Sequence, residues 1–162
     1  MATHLKSLSE SSPELPSAQA LRFGIVVSQW YDKVTDNLYQ GAYQVLKKQG
    51  ALEQNIATIK VPGSYELIAG ANLLLNTSQV DVILCLGCVI QGETSHFTFI
   101  CQAVANGVAN LAIKYNKPVI FGVLTTDNLQ QALDRSGGKH GNQGEGVAMS
   151  AIHMADLYKR NY

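Results

Sequence analysis

Three apolar runs constrain this chain more than anything else in it: "FGIVVS" (23–28), "VDVILCLGCVI" (80–90) and "PVIFGVLT" (118–125). Each is continuous rather than alternating, so each suits a parallel strand covered on both faces. A weaker fourth run, "NIATIKV" (55–61), joins them. Segments of helical period lie between. "TDNLYQGAYQVLKKQG" (35–50) puts Leu38, Ala42, Val45 and Leu46 on one stripe and stops at Gly50, a C-cap signal. "GSYELIAGANLLLN" (63–76) and "SHFTFICQAVANGVANLAIKY" (95–115) predict two more helices; in the second, Phe97, Ile100, Val104, Val108 and Leu111 recur at spacings of three and four. "GEGVAMSAIHMADLYKR" (144–160) predicts the last, with Val147, Ala151, Met154 and Leu157 or Tyr158 facing inward.

Strands alternating with helices imply right-handed crossovers and a doubly wound α/β sheet. Ligands in such folds bind beyond the carboxyl ends of the strands. That rule narrows the search to four loops, "SQWYDKVT", "VPGSYE", "IQGETSH" and "LTTDN". The chain of 162 residues is long enough for one core, so residues 21–162 are expected to form a single domain. Residues 1–20, rich in Ser, Pro and Glu, are expected to be a flexible tail or an arm that orders against a neighbour.

Twelve basic and twelve acidic side chains cancel, which argues against a nucleic-acid or anionic-membrane surface. No run reaches the ~18 to 20 apolar residues of a membrane span, and no secretory apolar core opens the chain. A small molecule or a protein is the expected partner. Cys85 and Cys88 are an odd number of positions apart on one strand and therefore face opposite ways; with Cys101 they suit reduced thiols in the cytoplasm.

Two stretches carry chemistry. In "GCVIQGETSHF" (87–97), a cap at Thr94 or Ser95 would present backbone N–H groups at the positive end of a long helix, beside Gly92, which suits a phosphate or an oxyanion. His96 follows in the first turn as a candidate proton shuttle, although capping alone explains Thr94 and Ser95. "DRSGGKHGNQG" (134–144) sets Arg135, Lys139 and His140 among glycines, and a guanidinium clamps phosphate in bidentate fashion. An ordinary glycine-rich turn between two helices would look the same. Trp30, the sole tryptophan, is predicted at a rim where it could stack on a flat heterocycle or pack against a neighbour. Glu66 could accept hydrogen bonds from sugar hydroxyls or simply favour a helix start. There is no dinucleotide fingerprint, P-loop, nucleophile elbow or zinc spacing, so no metal is expected.

Taken in order, "FGIVVSQW", "VPGSYEL", "LGCVIQGETSHF", "PVIFGVLTTDN" and "DRSGGKHGNQG" resemble the lumazine synthase family over about Phe23 to Leu157. The resemblance implies a flavodoxin-like three-layer sandwich with a central four-stranded parallel sheet, which an N-terminal strand from a neighbour can extend. It implies condensation of 5-amino-6-(D-ribitylamino)uracil with 3,4-dihydroxy-2-butanone 4-phosphate in riboflavin biosynthesis, without a cofactor. Position by position, it places Trp30 on the pyrimidine and Ser64, Tyr65 and Glu66 on the ribityl chain and ring edge. Cys88, Val89 and Ile90 would line the uracil pocket through their backbone. Glu93 and Thr94 would hold the phosphate, and His96 would shuttle protons. Phe121 and Arg135 would enter the site from a neighbouring subunit, Arg135 onto the phosphate. The family often has Arg at Gln91, Asp at Thr98, Lys at Gln143 and an acid near Gly146. A homo-oligomer is implied, a pentamer that closes into a 60-subunit icosahedral shell, with riboflavin synthase as a further partner. A noncatalytic shell that binds a flavin or lumazine is the alternative, and it would tolerate loss of His96 or Arg135.

Overall fold

The structure is a computed structural model and describes residues 15–161. Its four long strands are β1 (Phe23–Ser28), β2 (Ile56–Val61), β3 (Val82–Ile90) and β4 (Val119–Thr126). They pair in parallel in the order β2-β1-β3-β4. Helices α1 (Asp32–Lys48), α2 (Leu67–Thr77) and α3 (His96–Tyr115) are the crossovers between them. After β4 come a short α4 (Leu129–Arg135), an antiparallel hairpin of β5 (Ser136–Gly138) and β6 (Gly141–Asn142), and a long α5 (Gln143–Asn161). This is the flavodoxin-like three-layer sandwich expected. The sequence reading missed α4 and the hairpin, because seven and five residues are too few to show a period.

The apolar runs are buried on both faces because successive side chains of a strand point to opposite sides. Phe23, Ile25, Val27, Val82, Leu84 and Leu86 pack under α1 and α5, against Ala42, Leu46, Ala148, Ala151 and Ile152. Val26, Ile83, Cys85, Val119 and Val123 face the other way, against Leu67, Ala71 and Leu74 of α2 and Val104, Val108 and Leu111 of α3. Cys88 lies with Val34, Leu38, Leu124 and Ala132, across the sheet from Cys85, as the odd spacing requires. The α1 and α5 backbones touch so closely that a Cβ on Gly144 would stand 2.0 Å from the Leu38 carbonyl oxygen. Only glycine fits there.

The amino end of the sheet is closed by charge. Asp81 Oδ2 accepts from the Arg22 backbone N–H at 2.7 Å and pairs with Lys159 Nζ at 3.4 Å, while Lys159 also donates to the Ala20 carbonyl at 2.6 Å. Residues 1–14 of the expected tail lie outside the described residues. Its last six do not hang free: Ala18 is fully buried in the α1–α5 core and its N–H donates to the Gln49 carbonyl at 2.8 Å, because α1 leaves an apolar step that Leu15, Ala18 and Leu21 fill.

Among the described residues α3 alone is long and apolar enough for a membrane span, by length and composition only. Its inner stripe is docked on the sheet, and His96, Gln102, Asn106, Asn110 and Lys114 interrupt its surface. Phe99 and Ile113 stand outside, 68% and 79% exposed.

Candidate active site

The carboxyl ends of β2, β1 and β3 lie side by side, and backbone hydrogen bonds lace the loops after β1 and β2 together. The Gln29 N–H donates to the Val61 carbonyl at 2.8 Å and the Trp30 N–H to the Pro62 carbonyl at 3.1 Å. Tyr31 then takes a left-handed conformation (φ 61°, ψ 51°), uncommon for a residue with a side chain, as the chain swings into α1. Trp30 is left on the rim, 66% exposed. With Gln29, Tyr31, Asp32 and Pro62 it lines an open cleft of about 520 Å³. Tyr31, Asp32 and Pro62 were not singled out from the sequence; the left-handed turn at Tyr31 has no local sequence signature, since neither Gly nor Asn marks it.

The next loop begins α2 later than the periodicity suggested, at Leu67 rather than residue 63, so Ser64, Tyr65 and Glu66 sit at the sheet's edge before the helix. Ser64 is buried and its Oγ donates to the Cys88 carbonyl at 3.1 Å. That bond exists because position 87 is glycine: a Cβ there would come within 2.7 Å of the Ser64 oxygen. Tyr65 is exposed and Glu66 half-buried. Cys88 turns its thiol into the core, where burial pushes its pKa up to about 12. The thiolate is therefore unavailable near neutrality, and what Cys88 presents is backbone. Val89 and Ile90 are half-buried at the strand's end.

The loop 91–96 is open. Its base is pinned by the Gln91 N–H, which donates to the Thr126 carbonyl at 2.8 Å, and by Gln91 Nε2, which donates to the Gly92 carbonyl at 2.6 Å. A side chain at Gly92 would meet nothing within 4 Å. Of the two expected caps the chain uses Ser95, which makes no side-chain cap bond, while Thr94 Oγ1, one residue earlier, accepts from the His96 N–H at 3.3 Å. His96 opens α3, and neither its imidazole nor the Glu93 carboxylate has a hydrogen-bond or ion-pair partner among the described residues.

Phe121 and Arg135 come from other elements. Phe121 is the third residue of edge strand β4, opposite Cys85, and is 40% exposed. Arg135 ends α4, half-buried, with Nη1 donating to the Gln131 carbonyl at 3.1 Å. No hydrogen bond or ion pair joins either residue to the loop 91–96 among the described residues. The charge expected of "DRSGGKHGNQG" is also smaller than its composition. Asp134, buried beside Arg135, takes Lys139 Nζ at 3.1 Å and Gln130 Nε2 at 2.9 Å, and its carbonyl accepts from the His140 N–H at 2.8 Å. The Gln130 hydrogen bond, reinforced by Lys139, holds the Asp134 carboxyl below the ordinary carboxylate range. Lys139 is thus paired with Asp134, and the segment is a hairpin rather than a plain turn.

One end of the sheet therefore gathers a stacking surface, a buried hydroxyl flanked by an exposed tyrosine and a carboxylate, a helix start open to anions, and an imidazole beside it. These suit a flat ring with a polar chain, a phosphate and a proton transfer.

Comparison with known proteins points to one family. The sequence model of the 6,7-dimethyl-8-ribityllumazine synthase family matches residues 20–159. A protein of that name from Cytophaga hutchinsonii is 52% identical over 154 residues, 95% of this chain and 97% of that protein. Its namesake from Flavobacterium johnsoniae is 50% identical over 156 residues, 96% of this chain and 82% of that protein. The one from Aquifex aeolicus is 42% identical over 143 residues, 88% and 93% respectively.

Proposed function

The chain belongs to the 6,7-dimethyl-8-ribityllumazine synthase family, and on that footing we propose how its residues carry out the condensation of 5-amino-6-(D-ribitylamino)uracil with 3,4-dihydroxy-2-butanone 4-phosphate. The enzyme is a transferase of riboflavin biosynthesis, and the family acts on small molecules as oligomers. The reading of the site is carried by one observation: ten of the twelve candidate residues lie on the loops and strand end of three adjacent strands, whereas Phe121 lies in edge strand β4 and Arg135 at the end of α4.

Trp30 stacks on the pyrimidine. Ser64, Tyr65 and Glu66 take the ribityl chain and ring edge, and the backbone of Cys88, Val89 and Ile90 lines the uracil. The phosphate sits at the start of α3, held by Glu93 and Thr94 through loop N–H groups and the Thr94 hydroxyl. The 5-amino nitrogen adds to the ketone carbonyl and loss of water gives an imine. A proton then leaves carbon as phosphate departs, and the ribitylamino nitrogen closes the ring with loss of a second water. His96 relays protons at the imine and elimination steps, while Arg135 from a neighbouring subunit neutralises the departing phosphate. No thiolate step is needed.

Gly146, where the family often has an acid, has open space around it, so His96 acts without a carboxylate from that position. The exposed apolar side chains of α3 support subunit contact there. A pentamer that closes into a 60-subunit shell, with riboflavin synthase as a further partner, completes the reading. The three unpaired cysteines support residence in the cytoplasm.

Mixing the purified protein with both substrates should give lumazine absorbance and free phosphate in step; no product above the spontaneous background overturns the enzyme and leaves the noncatalytic shell. Arg135→Ala should raise the KM for the butanone phosphate at least about tenfold, the value of a charged hydrogen bond. An unchanged KM removes Arg135 from the phosphate. Size-exclusion chromatography with light scattering separates pentamer from shell.

A further inference from the structure

Ser28, the last residue of β1, is fully buried, and its Oγ is the one buried side-chain polar atom without a hydrogen-bond partner among the described residues. An unpaired hydroxyl in a core is destabilising, and alanine would relieve it. Its place in the fold identifies what it faces. Val26, two residues earlier on the strand, packs on the α2–α3 side, so Ser28 points to that side too. Val27 lies opposite Leu86, which brings Ser28 level with Gly87 on the neighbouring strand, about 4.8 Å away. The space above Gly87 holds the Ser64 hydroxyl. Two hydroxyls therefore stand over adjacent strand positions, Ser28 from β1 itself and Ser64 reaching over Gly87 of β3 from the loop 62–66, and one of them is paired. Ser64 gives its single proton to the Cys88 carbonyl, and its oxygen keeps the capacity to accept.

We propose that Ser28 is a positioning residue for the pyrimidine half of the site: when the ribityl chain settles against Ser64, Tyr65 and Glu66, Ser28 donates to Ser64 Oγ. A hydrogen-bonded chain then runs from β1 through the loop to the carbonyl of β3. It fixes at once the loop that grips the ribityl chain and the strand end that lines the ring. The inference rests on assigning residues 64–66 to that substrate.

Trp30, the only tryptophan, reports binding by fluorescence without any turnover. Titrating wild type, Ser28→Ala, Ser64→Ala and the double variant with 5-amino-6-(D-ribitylamino)uracil, and with 5,6-diaminouracil that lacks the ribityl chain, tests the chain of bonds. Ser28→Ala should weaken the ribityl compound about fivefold, the worth of one neutral hydrogen bond, and leave the ribityl-free compound and the KM for the butanone phosphate unchanged. Its thermal midpoint should not fall, and the double variant should bind no worse than Ser64→Ala. Equal binding of the ribityl compound by wild type and Ser28→Ala overturns the inference, as does equal weakening of both pyrimidines or additive loss in the double variant. A wild-type protein that binds the pyrimidine but makes no lumazine defeats the enzymatic reading alone; one that binds neither pyrimidine defeats both.

Discussion

The two ends of the sheet are built on opposite principles. At the amino end the polar groups hold one another: Arg22, Gln79 and Lys159 converge with Asp81 and the Ala20 carbonyl, and Lys117 Nζ donates to the Val80 carbonyl at 2.7 Å. At the carboxyl end backbone hydrogen bonds do the holding, with the side chains of Ser64, Gln91 and Thr94 bonding only to backbone, and the side chains of Trp30, Tyr65, Glu93 and His96 are turned outward. The first arrangement uses polar groups for stability. The second leaves them for a ligand, at little cost while water still solvates them.

This contrast predicts that the two ends fail differently. His96→Ala should lower kcat about a hundredfold, the lower range for a positioned acid–base group, while a thermal melt stays within a few degrees of wild type. A large drop in the melt would mean that His96 belongs with the structural end. Asp81→Ala should do the reverse, costing about 2 kcal/mol for the lost charged hydrogen bond and ion pairs, seen in urea unfolding, with kcat unchanged. Reduced kcat in that variant would show that the two ends are coupled. Trp30→Ala should raise the KM for the pyrimidine roughly tenfold and leave the urea midpoint in place, because the indole is mostly outside the fold. The smallest effect concerns Asp134. Its folded-state pKa is depressed, so its contribution is present above the ordinary value near ~3.9 and is lost as pH falls through the lower, folded value. Acid unfolding of Asp134→Asn should therefore be less steep than wild type below about pH 4; an identical acid limb would mean that the hairpin does not depend on the charge.

Much of the fold was legible because its signals are local. The run "FGIVVS" is β1 to the residue, and Ile100, Val104, Val108 and Leu111 of the predicted stripe pack in the core as its period required, with Phe97 half-buried at the helix start. The ends of elements were less so: α2 starts at Leu67, because Ser64 is drawn into a bond with Cys88 that no neighbouring residue announces. The candidate site divides the same way. Trp30, Ser95 and His96 could be found as a rim aromatic, a cap and a first-turn imidazole. The pairing of Lys139 could not, since it depends on where the hairpin folds back onto Asp134.

By itself the sequence determined the layers, the strands and the loops in which chemistry could occur, because hydrophobic period and glycine placement act over a few residues. Tertiary structure alone decided that Ser28 is buried level with Gly87, that the Cys88 thiol is buried while its carbonyl takes the Ser64 hydroxyl, and that neither Phe121 nor Arg135 bonds to the loop 91–96 among the described residues. Each of those depends on which strands become neighbours, and that is fixed by packing two helical layers on one sheet rather than by any residue's local preference.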